Sequence, residues 1–257
     1  MKRLSLLIAL AVIVAGAFFL NSGRSAEIVL TAARAMPING QDNLFSVTLE
    51  IENTGTAKTL ISVSSSSAKA INIMNTGHSG APIVVPENGK GIFAMDGAHL
   101  MLMGADSDFV EGAFIPLTLE FSEYGKVKTR VLNVGDDMGM AGMDHSITTG
   151  VQTTPSPQIQ LMADGTLGER STEITVSVEN FTFVRAPENA THIPHEGHGH
   201  IYLNGLKLGR LYEQYFTLGA VPPGTYDLTV SLHSNDHQPY IENGKAISHS
   251  LAIVHQE

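Results

Sequence analysis

Residues 96–105, D-G-A-H-L-M-L-M-G-A, constrain the fold of this chain more than any other stretch. His99, Met101 and Met103 fall on one side and Leu100 and Leu102 on the other, a period of two that predicts a β-strand. The leucines should face a core and leave the imidazole and thioethers together on the opposite face. Alternate side chains of a strand lie about 7 Å apart, near enough for a ring nitrogen and a sulfur to converge on one ion. A neutral imidazole beside thioethers suits a soft ion, of which Cu(I) is the common biological case. The competing reading is a buried strand whose methionines fill gaps in the core.

The 257 residues suffice for two domains, and 43% hydrophobic with 16% charged content describes globular material. A formal net charge of −10 argues against nucleic acid or an anionic membrane surface as partner. Met1-Lys2-Arg3 followed by an apolar run from Leu4 to Leu20 reads as an export signal or N-terminal membrane anchor over 1–26. Cleavage is expected after Ala26, although Arg24 fits the small-x-small rule poorly. The mature protein is therefore expected to be exported, either freed or left tethered by its N-terminus. The chain contains no cysteine, which excludes disulfides, a lipid-bearing Cys and any thiolate metal site. Ten Met and eleven His remain as soft and borderline donors.

From residue 27 to 135 the sequence alternates short strand patterns with turn residues. Val47, Leu49 and Ile51 form one face against Thr48 and Glu50, and Asn53-Thr54-Gly55 and Glu87-Asn88-Gly89 mark turns. In 68–74, A-K-A-I-N-I-M, Ile71 and Ile73 should point inward and Met74 outward. No window carries a helical period. The expectation is an all-β protein of two β-sandwich domains, the first of immunoglobulin-like or cupredoxin-like form and the second immunoglobulin-like.

The order V-T-L-E-I-E-N-T-G at 47–55, I-N-I-M at 71–74, H-L-M-L-M-G at 99–104 and I-P-L-T-L-E-F at 115–121 resembles the PCuAC-type periplasmic copper chaperones. The resemblance covers about 27–135. It implies a cupredoxin-like sandwich that holds Cu(I) through His and Met. It also implies delivery to a copper-accepting partner, such as a cytochrome c oxidase subunit with its CuA centre or another copper chaperone. Met74 matches the family's first ligand, and His99 and Met101 match its H-x-M pair. The family's second Met has no counterpart in 75–89, so His78 or Met103 is the candidate fourth donor.

Residues 136–157 combine a Met-rich piece with a Thr/Ser/Pro-rich linker. Met138, Met140, Met143 and His145 sit among Gly and Asp with no apolar period to bury them, which suggests an auxiliary Cu(I) collector. The second domain, 158–257, holds eight of the eleven histidines. His198 and His200 share a strand face, and His195, His233 and His237 complete the candidate second metal site. Imidazoles without thioethers favour Cu(II) or Zn(II), and Glu196 or Asp236 is the expected orienting carboxylate. Near Asn180 the apolar register slips by one, predicting a bulge or break.

Three functions fit this pattern. A copper chaperone, which is not an enzyme, leads, because transfer needs an exposed site with few, weak ligands. Copper sequestration or resistance is the alternative, with the Met-rich and His-rich tracts storing metal. A copper or zinc enzyme on the second domain ranks last. No His lies near Ala26, and Glu196 is the only local general base.

Overall fold

A computed structural model describes residues 26–41, 43–135, 150–163, 165–187 and 190–256. Residues 1–25 of the expected 1–26 signal or anchor and the candidate collector Met138, Met140, Met143 and His145 lie outside these described residues. No helix among the described residues is long and apolar enough to cross a membrane.

The described chain is all-β, as the alternation predicted. The first half supplies β1 (Ile28–Pro37), β2 (Leu44–Asn53), β3 (Lys58–Ser64), β4 (Ala68–Met74), β5 (Val84–Val85), β6 (Lys90–Phe93), β7 (His99–Ala105), β8 (Phe114–Phe121) and β9 (Gly125–Asn133). The second half supplies β10 (Gln158–Ala163), β11 (Thr172–Glu179), β12 (Thr182–Phe183), β13 (Glu196–Leu203), β14 (Leu206–Leu211), β15 (Tyr215–Leu218), β16 (Gly224–Ser234), β17 (Ile241–Glu242), β18 (Lys245–Ala246) and β19 (Ser248–His255).

In the N-terminal sandwich β2 pairs with β1, β6 and β7, and β4 adds to the outer side of β7. β1 passes to β9 through a short parallel pairing, and β8 and β3 follow in order. Leu100, Leu102, Val47, Leu117 and Leu119 are all fully buried, so the leucines of β7 face the core as the alternation requires. Ile73 departs from its expected inward position and is 36% exposed. Its strand pairs only with β7, so one flank is open, and Ala68 and Ile71 are the residues of this strand that pack on the core. The expected break near Asn180 is present: β11 ends at Glu179, and Asn180 takes a left-handed φ of 54°.

The second sandwich is built on β13, β16 and β19, with Leu203, Leu228, Val230 and Ile253 fully buried between them and β11. The sequence reading missed β14, the return strand of a hairpin, and β14 is the element that joins the two halves. Asn204 (φ 47°) and Gly205 (φ 78°) form the tight turn between β13 and β14, the Asn-Gly pattern that left-handed turn positions favour. Lys207 then pairs with Ile92 of β6, so one sheet runs from the C-terminal strands into the N-terminal ones. Leu206 is fully buried in the N-terminal core.

The turn is also docked by hydrogen bonds. Ala98 N–H donates to the Gly205 carbonyl at 2.8 Å, and the Asn75 side-chain amide donates to the Asn204 carbonyl at 2.8 Å. A Cβ at Gly205 would run into the Asn75 side chain, so both the backbone angle and the space require glycine. Leu206→Ala should lower unfolding free energy by about 2–5 kcal/mol, as a fully buried leucine does in a sandwich interior. A urea titration giving a loss below about 1 kcal/mol would show that the hairpin does not share the N-terminal core.

Candidate metal sites

The first donor set is created by strand pairing. β4 and β7 run antiparallel with Met74 directly opposite His99, Asn72 opposite Met101 and Ala70 opposite Met103. Directly opposed side chains have Cβ atoms about 4.5–5.5 Å apart, so Met74 and His99 share one end of this face, with Met101 one step along. Met74 is 42% exposed, Met101 is half-buried and His99 is 7% exposed. His99 Nδ1 lies 3.1 Å from the Gly97 carbonyl, which can only accept, so Nδ1 carries a proton and Nε2 is the nitrogen a metal would use. An imidazole fixed in this way beside two thioethers is a donor set that fits Cu(I).

Neither candidate fourth donor is drawn to this end of the face. His78 turns toward the second half, with Nε2 3.2 Å from Asp227 Oδ2. Met103 is opposite Ala70, two residues along β7 from Met101 and farther still from Met74.

The second donor set is buried in the C-terminal half. On β13, Ile201 and Leu203 face the core, so His198, His200 and Tyr202 share the other face. His198 Nε2 lies 2.9 Å from His200 Nε2 and 3.2 Å from His237 Nδ1. The three donor atoms lie within 4.8 Å of one another. The His237 backbone is in the left-handed region, φ 65°, in the turn that follows β16. Metal–nitrogen bonds of about 2.0–2.1 Å at tetrahedral angles put donors about 3.3 Å apart, close to these spacings.

His233 and His195 stand apart from this triad. His233 stacks flat on His200, with ring centroids 3.8 Å apart, and its Nε2 is bonded to Ser231 Oγ at 3.0 Å. It forms a wall of the cluster. His195 turns its Nδ1 to the Asn180 carbonyl at 2.9 Å. Its φ of 65° falls just before β13 begins, and this ends the shared face.

The orienting carboxylate differs from the sequence expectation. Asp236 accepts from the Ser234 hydroxyl, and Glu196 is engaged through its backbone carbonyl by the Tyr240 hydroxyl. Asp96, from the turn before β7 in the other half of the chain, takes the place beside His200. Its Oδ2 lies 2.7 Å from His200 Nδ1 and 2.7 Å from Lys207 Nζ, and accepts from the Tyr202 hydroxyl at 3.0 Å. Lys207 is only 7% exposed, so its charge needs this partner. Nothing in the spacing of H-x-H-x-Y names a carboxylate so far away in sequence.

Electrostatics follow from burial. Burial would raise the Asp96 carboxyl, but the His200 hydrogen bond and the Lys207 charge outweigh it and hold the group well below the usual carboxylate range. Burial pushes His198 down to about 3, helped by the neighbouring histidines. It pushes His200 down to about 4 against the pull of Asp96, and His233 down to about 3. All three rings are therefore neutral at physiological pH, the form that binds metal.

Residues 27–133 match the family described as LpqE-like, putative lipoprotein LpqE-like. No curated protein matches the chain. Among solved structures, the chain is similar to the copper-bound PCuAC domain from PmoF2, at 18% identity and TM-score 0.39, covering 44% of this chain and 96% of that one. It is similar to the apo PCuAC domain from PmoF1, at 22% identity and TM-score 0.38, covering 43% and 95%. A third is the Cu(I) form of DR1885 from Deinococcus radiodurans, at 17% identity and TM-score 0.37, covering 46% and 84%. The family match includes Met74, His99, Met101 and Asp96, and it ends before the histidine triad.

Because the folded state holds His198, His200 and His233 neutral and the unfolded chain protonates them near 6.5, the unfolded state binds more protons below that pH. Metal-free protein should be most stable above about pH 6.5 and lose stability as pH falls toward about 4. Urea unfolding at pH 7.0 and 5.0 checks this, and equal midpoints would contradict it.

Proposed function

We propose that this protein is a copper-handling chaperone that carries Cu(I) as cargo on the outer face of β4 and β7, with Met74, His99 and Met101 as ligands. The observation that carries the reading is the register that sets Met74 directly opposite His99, with Met101 next along the same face. Two thioethers and one neutral imidazole form a soft, low-coordinate donor set. Partial exposure of Met74 supports delivery, since an acceptor's ligands can displace an exposed thioether first. His99, held through Nδ1 to the Gly97 carbonyl, keeps its ring in place while the exchange proceeds.

The motif resemblance of residues 47–121 to PCuAC-type chaperones supports delivery to a copper-accepting partner such as a cytochrome oxidase subunit. The basic start and apolar run of residues 1–20 support export to the periplasm, with the protein free or membrane-tethered. Thioethers are also suited to an oxidising compartment, where a thiolate would be lost to oxidation.

Anaerobic Cu(I) titration of the full chain against a colorimetric Cu(I) chelator tests the proposal. Met74→Ala with Met101→Ala removes both thioethers at positions outside the core. This double variant should weaken the tightest Cu(I) site by about 100-fold or more with an unchanged circular dichroism spectrum. Wild-type affinity in the variant would rule the site out. One or two equivalents per chain are expected for a carrier, and several tight equivalents would instead favour storage.

A further inference from the structure

We propose that His198, His200 and His237 form a second metal site for a borderline divalent ion, Zn(II) or Cu(II), with Asp96 of the N-terminal sandwich as the positioning residue for His200. The site goes beyond the copper face: it lies in the other half of the chain and contains no thioether.

Geometry carries the assignment. Three ring nitrogens from two segments converge, with Nε2 of His198 2.9 Å from Nε2 of His200 and 3.2 Å from Nδ1 of His237. A neutral imidazole nitrogen carries either a proton or a lone pair, so His198 Nε2 can form a straight N–H···N bond with only one of its two neighbours at a time. Here His198 Nε2 has a ring nitrogen on each side, and a cation at the centre would engage all three at once. Three imidazoles leave a fourth position for water or an exchangeable ligand, the pattern of an open zinc site.

The second observation is the Asp96 contact. A metal-binding histidine commonly donates its other ring N–H to a carboxylate, which fixes the tautomer and raises the basicity of the donor nitrogen. His200 is placed to do this: Nδ1 faces Asp96 Oδ2 at 2.7 Å, with Lys207 Nζ 3.0 Å from the same nitrogen, while Nε2 points to His198. Lys207 keeps Asp96 ionised and in place at 2.7 Å, although its own positive charge opposes a cation nearby. Asp96 reaches the site because the Asn204-Gly205 turn is seated against Ala98 and Asn75. Metal affinity and the docking of the two halves are consequently linked: an ion on the triad favours the docked arrangement, and undocking removes the support of His200.

Zn(II) separates this site from the copper face, because thioethers bind it poorly. Full-length metal-free protein is titrated with Zn(II) against a chromophoric chelator at pH 7.5, with circular dichroism recorded on every variant. The wild type should take one equivalent with sub-micromolar affinity. His237→Ala alters a half-buried turn residue and should weaken binding by about 100-fold or more, while the Met74→Ala, Met101→Ala double variant should bind as the wild type does. Asp96→Asn should weaken binding by about 10–100-fold, whereas Asp96→Glu, which keeps a carboxylate for His200 and Lys207, should bind more tightly than Asp96→Asn.

Wild-type affinity in a folded Asp96→Asn variant would overturn the positioning role. If Asp96→Asn does not fold, nitrogen-15 NMR of the wild-type His200 ring decides, with protonation at Nδ1 expected and protonation at Nε2 overturning the positioning role. Absence of sub-micromolar Zn(II) binding in the wild type, or unchanged affinity in His237→Ala, would overturn the site itself.

Discussion

A buried ammonium has to be paired, and the pairing of Lys207 with Asp96 organises this molecule. Lys207 sits on β14 beneath the interface and Asp96 in the turn before β7, so a carboxylate from one half of the chain neutralises a cation from the other. Removing either charge leaves the other desolvated, at a cost of several kcal/mol. The pair therefore fixes how the β13–β14 hairpin lies on the N-terminal sandwich, together with buried Leu206 and the hydrogen bonds to the Asn204-Gly205 turn. It also brings an oriented carboxylate to His200. The turn that carries Asp96 leads directly into His99, so one short segment, 94–99, serves both donor sets.

The two donor sets differ in chemistry because they differ in ligand type and burial. On β4 and β7 the thioethers are on a half-open face of an edge pairing, suited to a soft monovalent ion that must come and go. On β13 the imidazoles of His198 and His200 are buried and neutral, His200 is backed by a carboxylate, and half-buried His237 joins them from the turn after β16, a set suited to a borderline divalent ion held more firmly. With no thiolate anywhere in the chain, the choice between these ions rests wholly on Met against His.

Much of the fold was legible because strand alternation is a local signal. β2, β7 and β16 could be read from period two alone, and the Asn180 break from the shift in that period. β14 escaped because L-K-L-G-R-L places a lysine on what becomes a buried position, and the pairing with β13 slips between Ile201 and Tyr202. Only the long-range partner Asp96 makes a buried Lys207 tolerable, and no window of sequence contains both. For the same reason His198 and His200 were recognisable as neighbours, whereas the orienting carboxylate was sought nearby in Glu196 or Asp236 and found in the other half. His195 belongs to the His-rich run by sequence only, since a left-handed backbone before β13 turns it toward Asn180. The pairing of Met74 with His99 was reached through the resemblance of motifs, because strand register between distant segments is not written in either strand alone.

The central claim is that copper is held by thioether and imidazole on the β4–β7 face. X-ray absorption at the copper edge, on full-length protein loaded anaerobically with one equivalent of Cu(I), addresses it most directly. The account predicts a low-coordinate Cu(I) edge with two sulfur scatterers and one imidazole nitrogen, the sulfur contribution disappearing in the Met74→Ala, Met101→Ala double variant. A first shell of nitrogen and oxygen alone in the wild type would contradict it.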